Sequence, residues 1–168
     1  MHTGLLVARL VFGITMSAHG AQKLFGWFGG YGISGTGQFF ESIGFRPGRV
    51  LAVAAGLGEV AGGLLVALGL LGPVGPALML SVMIVAGSLH WKNGLFATGN
   101  GIELPLLYSA AAVALAFTGY GAYSLDALFG LARVWTPDLI WAVVALGVLG
   151  GVGNLVARSV STHAAVGA

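Results

Sequence analysis

The sequence predicts an all-α integral membrane protein, in which a four-helix transmembrane bundle is followed by a fifth transmembrane helix near the C-terminus. Only 7% of the 168 residues are charged, whereas a soluble domain carries about 25%. Hydrophobic residues make up 57% of the chain, and they form runs long enough to cross the ~30 Å hydrocarbon core of a bilayer. The 30 glycines fall mainly inside these runs, where they allow helices to pack closely in lipid.

The apolar runs give the order of the elements. We predict spans at residues 5–25, 50–71, 76–90, 103–120 and 138–157. Arg9 lies inside the first run instead of before it, which favours a retained helix over a cleaved signal peptide. The last run follows Thr136, Pro137 and Asp138, which supply a hydroxyl cap, a proline in the first turn and an acid beside the helix N-terminus. Residues 1–126 should therefore form the four-helix bundle, and residues 127–168 a C-terminal extension with the fifth span and a short tail.

The loops indicate how the chain is oriented. A glycine- and aromatic-rich loop at residues 26–48 contains a short amphipathic helix at 38–43, and a second polar loop covers residues 94–102. Five crossings place most basic residues on one side: Lys23, Arg46, Arg49, Lys92 and Arg158. Because basic loops stay in the cytoplasm, the N-terminus should be outside and the C-terminus inside a cell or inner membrane.

Glu59 is the only charged residue in the run at 50–71. A carboxylate at that depth is costly unless it is protonated, paired or hydrated, so an intramembrane acid suggests a functional site. Small residues surround it, namely Gly56, Gly58, Gly62 and Gly63. They would allow neighbouring helices to enclose the carboxylate in protein instead of lipid.

Six ionisable residues in or at the ends of the first four spans form a candidate ligand site: Arg9, His19, Lys23, Glu59, His90 and Glu103. At ~1.5 Å per residue, Glu59 lies about 15 Å and Arg9 about 20 Å from the basic side. We therefore expect a cavity between the first four spans, with an Arg9–Glu59 pair at its floor. The histidines and a Lys23–Glu103 pair should lie nearer its mouth.

Each member also has a structural interpretation. Arg9 could extend to the outer interface, and Lys23 could be an interfacial anchor. Glu103 could satisfy the N–H groups of a helix start, and His90 could be an ordinary interface residue. An Arg9–Glu59 pair could serve only to fix the register of two helices.

Composition excludes several classes of function. The chain has no cysteine, which excludes disulfides, thiolate metal sites and thiol redox chemistry in this chain, and we predict no metal site. The formal charge of +2 is too small to indicate nucleic-acid binding.

An ordered set of short motifs resembles the DoxX family of small membrane proteins. The matching pieces are Arg9, Gly13, residues 19–24 (HGAQKL), 58–63 (GEVAGG), 69–70 (GL), His90, 100–103 (NGIE) and 119–126 (GYGAYSLD). The resemblance spans about residues 5–126 and implies a four-helix transmembrane core in a bacterial or archaeal membrane. It also implies kinship with DoxD-like subunits of thiosulfate:quinone oxidoreductase.

Three functions remain open at this point. The first is a subunit of a quinone-linked membrane oxidoreductase, because a quinone needs an apolar slot, hydrogen-bonding groups for its oxygens and a route for protons. It would require a redox partner protein, and a haem held by His19 and His90 is the alternative cofactor. The second is a non-enzymatic scaffold that docks a soluble redox partner, and the third is a small-solute or proton transporter. The sequence does not fix the oligomeric state, and a homo-oligomer is compatible with it.

The predicted orientation can be tested with reporter fusions. Fusions at Arg46, Gly94 and Ala168 should all report a cytoplasmic location, because five crossings return the C-terminus to the basic side. A fusion at Ala168 that reports the opposite side from the other two would contradict the five-span arrangement.

Overall fold

The structure is a computed structural model that describes the backbone of residues 1–166 and the side chains of residues 1–160. Throughout this part of the chain the regular structure is helical, with 3₁₀ turns in the connections. The α-helices are α1 (His2–Phe25), α2 (Gly32–Ser42), α3 (Gly48–Leu68), α4 (Val74–His90), α5 (Glu103–Thr118), α6 (Leu125–Leu128) and α7 (Pro137–Val166). The predicted all-α membrane fold is confirmed.

Four helical segments in the described region are long and apolar enough to cross a membrane: His2–Phe25, Gly48–Leu68, Val74–Asn93 and Pro137–Val160. The C-terminal helix is one of these four. The predicted fourth span corresponds to α5, whose 16 residues extend only about 24 Å. Its two ends nevertheless lie at opposite ends of the bundle. His90 Nδ1 is 2.8 Å from the Asn100 carbonyl oxygen, shortly before α5, and the Ala122 N–H, shortly after it, donates to His2 Nδ1 at 3.2 Å. Five crossings stay a prediction.

Glycines hold α1 and α3 in direct backbone contact. A Cβ atom on Gly13 would lie 2.5 Å from the Gly63 carbonyl oxygen, and one on Gly20 would lie 2.6 Å from that of Gly56. Neither position could carry a larger side chain without moving the helices apart. Between these contacts Ser17 Oγ donates to the Val60 carbonyl oxygen at 3.3 Å. The two helices are antiparallel, and the buried residues of α1 are Arg9, Gly13, Met16, Gly20 and Ala21.

The central core lies where α1, α3, α4 and α5 meet. Its most deeply buried side chains include Met16, Val66 and Met79, with Tyr108 and Ala112 contributed by α5. The two α4 methionines, Met79 and Met83, are core residues. The Tyr108 hydroxyl donates to Thr15 Oγ1 at 2.6 Å.

Helix α2 is longer than the predicted segment at 38–43, since it begins at Gly32. Its first half, with three glycines, has low intrinsic helix propensity, so packing must stabilise it. Thr36 and Gly37 are buried, and Gly37 lies against the backbone of Arg49 at the start of α3. Glu41 Oε1 accepts a hydrogen bond from the Gly48 N–H at 3.1 Å, so the end of α2 caps the N-terminus of α3.

Substitution of Gly13 should measure the α1–α3 contact. Gly13→Ala forces a methyl group against backbone atoms of α3 and should cost about 1–3 kcal/mol of unfolding free energy. Gly4→Ala is the matched control on the same helix, because a Cβ atom there has no neighbour within 4 Å. The control should be neutral or stabilising by up to about 1 kcal/mol. Equal melting temperatures for the two variants in detergent would contradict this packing.

Candidate functional site

Lys23 and Glu59 form an ion pair between α1 and α3. Lys23 Nζ lies 2.8 Å from Glu59 Oε1 and 2.7 Å from Oε2. The carboxylate side chain is 2% exposed and the lysine side chain 25% exposed. Side chains lean toward the N-terminus of their own helix, and α1 and α3 are antiparallel, so these two lean toward each other. The lysine thus connects the buried acid to the more accessible end of the bundle.

The predicted pair between Arg9 and Glu59 is wrong. Gly20, not Arg9, lies level with Glu59, since a Cβ atom on Gly20 would lie 2.8 Å from the Val60 backbone nitrogen. Arg9 is eleven residues earlier on α1, which is about 16 Å along the helix, and it leans away from Glu59 toward the helix N-terminus. Depths counted from the sequence were too coarse to detect this offset.

Arg9 instead lies in a second buried cluster at the opposite end of the bundle. Its side chain is 1% exposed, and Nη2 donates to the Tyr123 carbonyl oxygen. Its guanidinium carbon lies 5.7 Å from the centre of the Tyr120 ring, within cation–π range. The Tyr120 side chain is itself 4% exposed. The cluster is enclosed, and among the described residues Arg9 Nε, Arg9 Nη1 and the Tyr120 hydroxyl have no hydrogen-bond partner.

Asp126 joins α6 to the turn between α3 and α4. The side chain is 3% exposed, and its two oxygens accept hydrogen bonds from the backbone N–H groups of Leu71 and Gly72 at 2.8 and 2.7 Å. The Asp126 N–H in turn donates to the Gly69 carbonyl oxygen at 2.9 Å. Sequence reasoning included Asp126 only as the end of a motif. The Ser124 cap two residues earlier was the available sign that an ordered turn begins there.

A cavity of about 390 Å³ adjoins the ion pair. Its walls come from α1, α2, α3, α4 and α7 and are mostly apolar, with Phe39, Phe40 and Phe45 among them. The polar side chains that line it are Lys23, Glu59, Ser81, His90 and Asn154. Three of the six predicted site residues thus share one cavity. The prediction that α5 would help to enclose it is wrong, because the other helices and α7 form its walls.

His90 is held by the loop that follows α4. Its Nδ1 lies 2.8 Å from the Asn100 carbonyl oxygen. A carbonyl oxygen can only accept, so Nδ1 must carry the proton, and Nε2 of the neutral ring is left as a hydrogen-bond acceptor. The conformation of the loop between residues 94 and 102 therefore sets the chemical role of a cavity residue.

His19 and Glu103 do not line this cavity. His19 Nδ1 lies 3.0 Å from Gln22 Oε1, and its ring centre lies 6.0 Å from that of Tyr108. Glu103 Oε2 accepts from the Ala97 N–H at 2.8 Å, which closes the loop before α5. The predicted Lys23–Glu103 pair is wrong, because Lys23 pairs with Glu59. Only one of the two histidines proposed for a haem is at the cavity.

A second cavity, of about 530 Å³, lies between α1, α2 and the turn that joins them. Lys23, Phe39 and Phe40 line both cavities, and the second also includes Gln22, Tyr31 and Thr36. Lys23 and the two phenylalanines of α2 thus lie between the two cavities. Among the side chains that the structure describes, no group of three or more His, Cys, Asp or Glu residues could hold a metal ion.

Comparison with known proteins gave one family. The DoxX family model matches residues 4–91, more than half of the chain, from the first turn of α1 to the residue after α4. The match includes Lys23, Glu59 and His90, and it ends before α5 and α7. The comparisons with curated proteins and with solved structures found no match.

A double-mutant cycle should distinguish the observed pair from the one expected from sequence. Lys23→Met leaves Glu59 buried without a partner and should cost about 3–5 kcal/mol of unfolding free energy. Combining it with Glu59→Gln should reveal a coupling of about 1–3 kcal/mol. The parallel cycle with Arg9→Met and Glu59→Gln should give a coupling within about 0.5 kcal/mol of zero. A larger coupling in the Arg9 cycle would contradict the register described here.

Proposed function

The chain belongs to the DoxX family, and on that premise we propose that it is a quinone-binding subunit of a membrane oxidoreductase. We place it in the bacterial plasma membrane, with the Lys23 end of the bundle and the C-terminus on the cytoplasmic side. The observation that carries the proposal is the apolar cavity with the Lys23–Glu59 pair on its wall. Sites for small hydrophobic ligands have this character, with apolar walls and a few convergent polar groups.

The polar groups suit the two oxidation states of a quinone. An ammonium group has three protons, and two of those on Lys23 are directed to the Glu59 oxygens. The third can donate to a quinone carbonyl oxygen. The remaining lone pairs of Glu59 and the bare Nε2 of His90 can accept from the hydroxyls of a quinol. The same site can therefore exchange protons with a bound ring as it is reduced or oxidised.

Quinone reduction takes up two electrons and two protons, and the side chains that line the cavity can supply only protons. The electrons must therefore come from outside this site. We propose that a redox partner protein supplies them at the basic end of the bundle. Arg46, Arg49 and Lys92 are exposed there, so an acidic surface on the partner would be attracted to it. The second cavity beside Lys23 offers a route for protons between that surface and the ion pair. The chain's own contribution is to bind the quinone, orient it and handle its protons.

Two other functions make different use of the same residues. In a scaffold, the Lys23–Glu59 pair would only hold α1 against α3, and the cavity would contain lipid. In a transporter, Glu59 would release a bound proton or solute to both sides of the membrane. The position of the pair on a cavity wall, with His90 beside it, favours a ligand site over both. A haem would need His19, which lies outside this cavity.

Removal of the Glu59 charge should test the proposal directly. Glu59→Gln retains the side-chain shape, and it should weaken binding of a short-chain quinone to the protein in lipid nanodiscs by about 10- to 100-fold, the effect of losing one charged hydrogen-bond partner. Asp138→Asn is the matched control, because that carboxylate is exposed in the first turn of α7 and does not line the cavity, and it should bind as the wild type does.

Two results would overturn the proposal. One is a wild-type protein that shows no saturable quinone binding. The other is unchanged binding in Glu59→Gln together with a lower melting temperature, which would identify the ion pair as structural and support the scaffold.

A further inference from the structure

Helix α7 lies outside the residues that match the family, yet it contributes to the cavity. Among its described side chains, Asn154 is the one that lines the cavity. It is also the only side-chain amide in a helix whose preceding residues, from Leu139 on, are all apolar. A polar side chain at such a position is costly in lipid unless it has partners, and it commonly marks a ligand path.

The position of Asn154 is fixed by the face of α7 on which it lies. Gly147, Gly151, Asn154 and Arg158 are spaced four, three and four residues apart, so they share one face of the helix. A Cβ atom on Gly147 would lie 2.5 Å from the Ala77 carbonyl oxygen, and one on Gly151 would lie 2.9 Å from that of Ser81. These contacts press α7 against α4 and bring Asn154, one turn later, to the cavity.

Arg158 holds the same face at its far end. Its Nε donates to the Ile43 carbonyl oxygen at 2.7 Å, and its guanidinium carbon lies 5.2 Å from the centre of the Phe45 ring. Phe45 itself lines the cavity. Helix α7 is thus anchored on both sides of Asn154, and the partly exposed amide lies at the edge of the cavity wall.

The amide retains hydrogen-bonding capacity for a ligand. Its Nδ2 donates one proton to the Gly150 carbonyl oxygen at 2.8 Å, which also identifies the nitrogen, because a carbonyl cannot donate. The second Nδ2 proton and the Oδ1 atom remain. Asn154 can therefore donate to a carbonyl oxygen or accept from a hydroxyl.

We propose that Asn154 is a ligand-positioning residue, which binds the second oxygen of a ring whose first oxygen lies at the Lys23–Glu59 pair. The site would then select rings with two oxygens, in their quinone or hydroquinone form, over rings with none. This inference rests on the proposed function, and it adds a residue from α7 to a site whose other polar members lie within the family match.

The test compares two ligands and two variants in nanodiscs. The ligands are a short-chain benzoquinone and the alkylbenzene of the same chain length, which has no oxygen. Asn154→Leu should weaken quinone binding by about 3- to 10-fold, as expected for one lost neutral hydrogen bond, and should leave alkylbenzene binding as strong or stronger. Val152→Leu, an exposed position on the same helix that is not part of the cavity wall, should bind both ligands as the wild type does.

The outcomes separate this inference from the proposed function. If the wild type binds the quinone, Glu59→Gln weakens binding and Asn154→Leu does not, the inference about Asn154 is wrong and the proposed function stands. Equal weakening of both ligands by Asn154→Leu would also overturn it, because the residue would then act only through packing. If the wild type does not bind the quinone, both proposals fail.

Discussion

A carboxylate buried inside a membrane helix needs a counter-charge, and the contact between Lys23 and Glu59 depends on how α1 and α3 pack. Glycines at positions 13, 20, 56 and 63 bring the two backbones together, and the antiparallel register sets Lys23 one turn beyond Glu59 toward the basic end. Because the two side chains point toward each other along the bundle, their charged groups meet despite this offset. A wider helix separation would leave Glu59 unpaired, so the glycine contacts and the ion pair stabilise one structural arrangement.

The remaining helices enclose this pair on the side away from the core. Helix α2 places Phe39 and Phe40 over it, α4 adds His90, and α7 closes the wall with Asn154. At the other end of the bundle Arg9 and Asp126 are buried in separate contacts that fasten the connections between helices. The chain therefore uses buried charge in two ways. One cluster is enclosed and contacts the connections between helices, whereas the Lys23–Glu59 pair lines a cavity.

Hydrophobic runs and helix-start residues were sufficient to predict the all-α membrane fold and the start of α7 after Thr136. The burial of Glu59 in protein also followed from its position among glycines in an apolar run. The partner of Glu59, Lys23, could not be predicted from the sequence, because pairing depends on the relative register of two helices and on the direction in which each side chain leans. The sequence analysis did not identify Asn154, because a single amide forms no motif or spacing from which a site could be predicted. Only the packing of α7 on α4 brings it to the cavity. Helix α2 extends over glycines that predict a loop, since tertiary contacts with α3 outweigh helix propensity.

The contact between Lys23 and Glu59 can be measured in a bilayer by solid-state NMR with ¹⁵Nζ-labelled lysine and ¹³Cδ-labelled glutamate. The chain has two lysines, Lys23 and Lys92, and three glutamates, Glu41, Glu59 and Glu103, so the spectrum is simple to assign. The structure predicts one strong nitrogen–carbon dipolar coupling, from an ammonium in contact with both carboxylate oxygens, that disappears in Lys23→Met. Addition of a short-chain quinone should shift the Glu59 carbon resonance of that coupled pair. A spectrum without a strong coupling, or a coupling that survives Lys23→Met, would contradict the account.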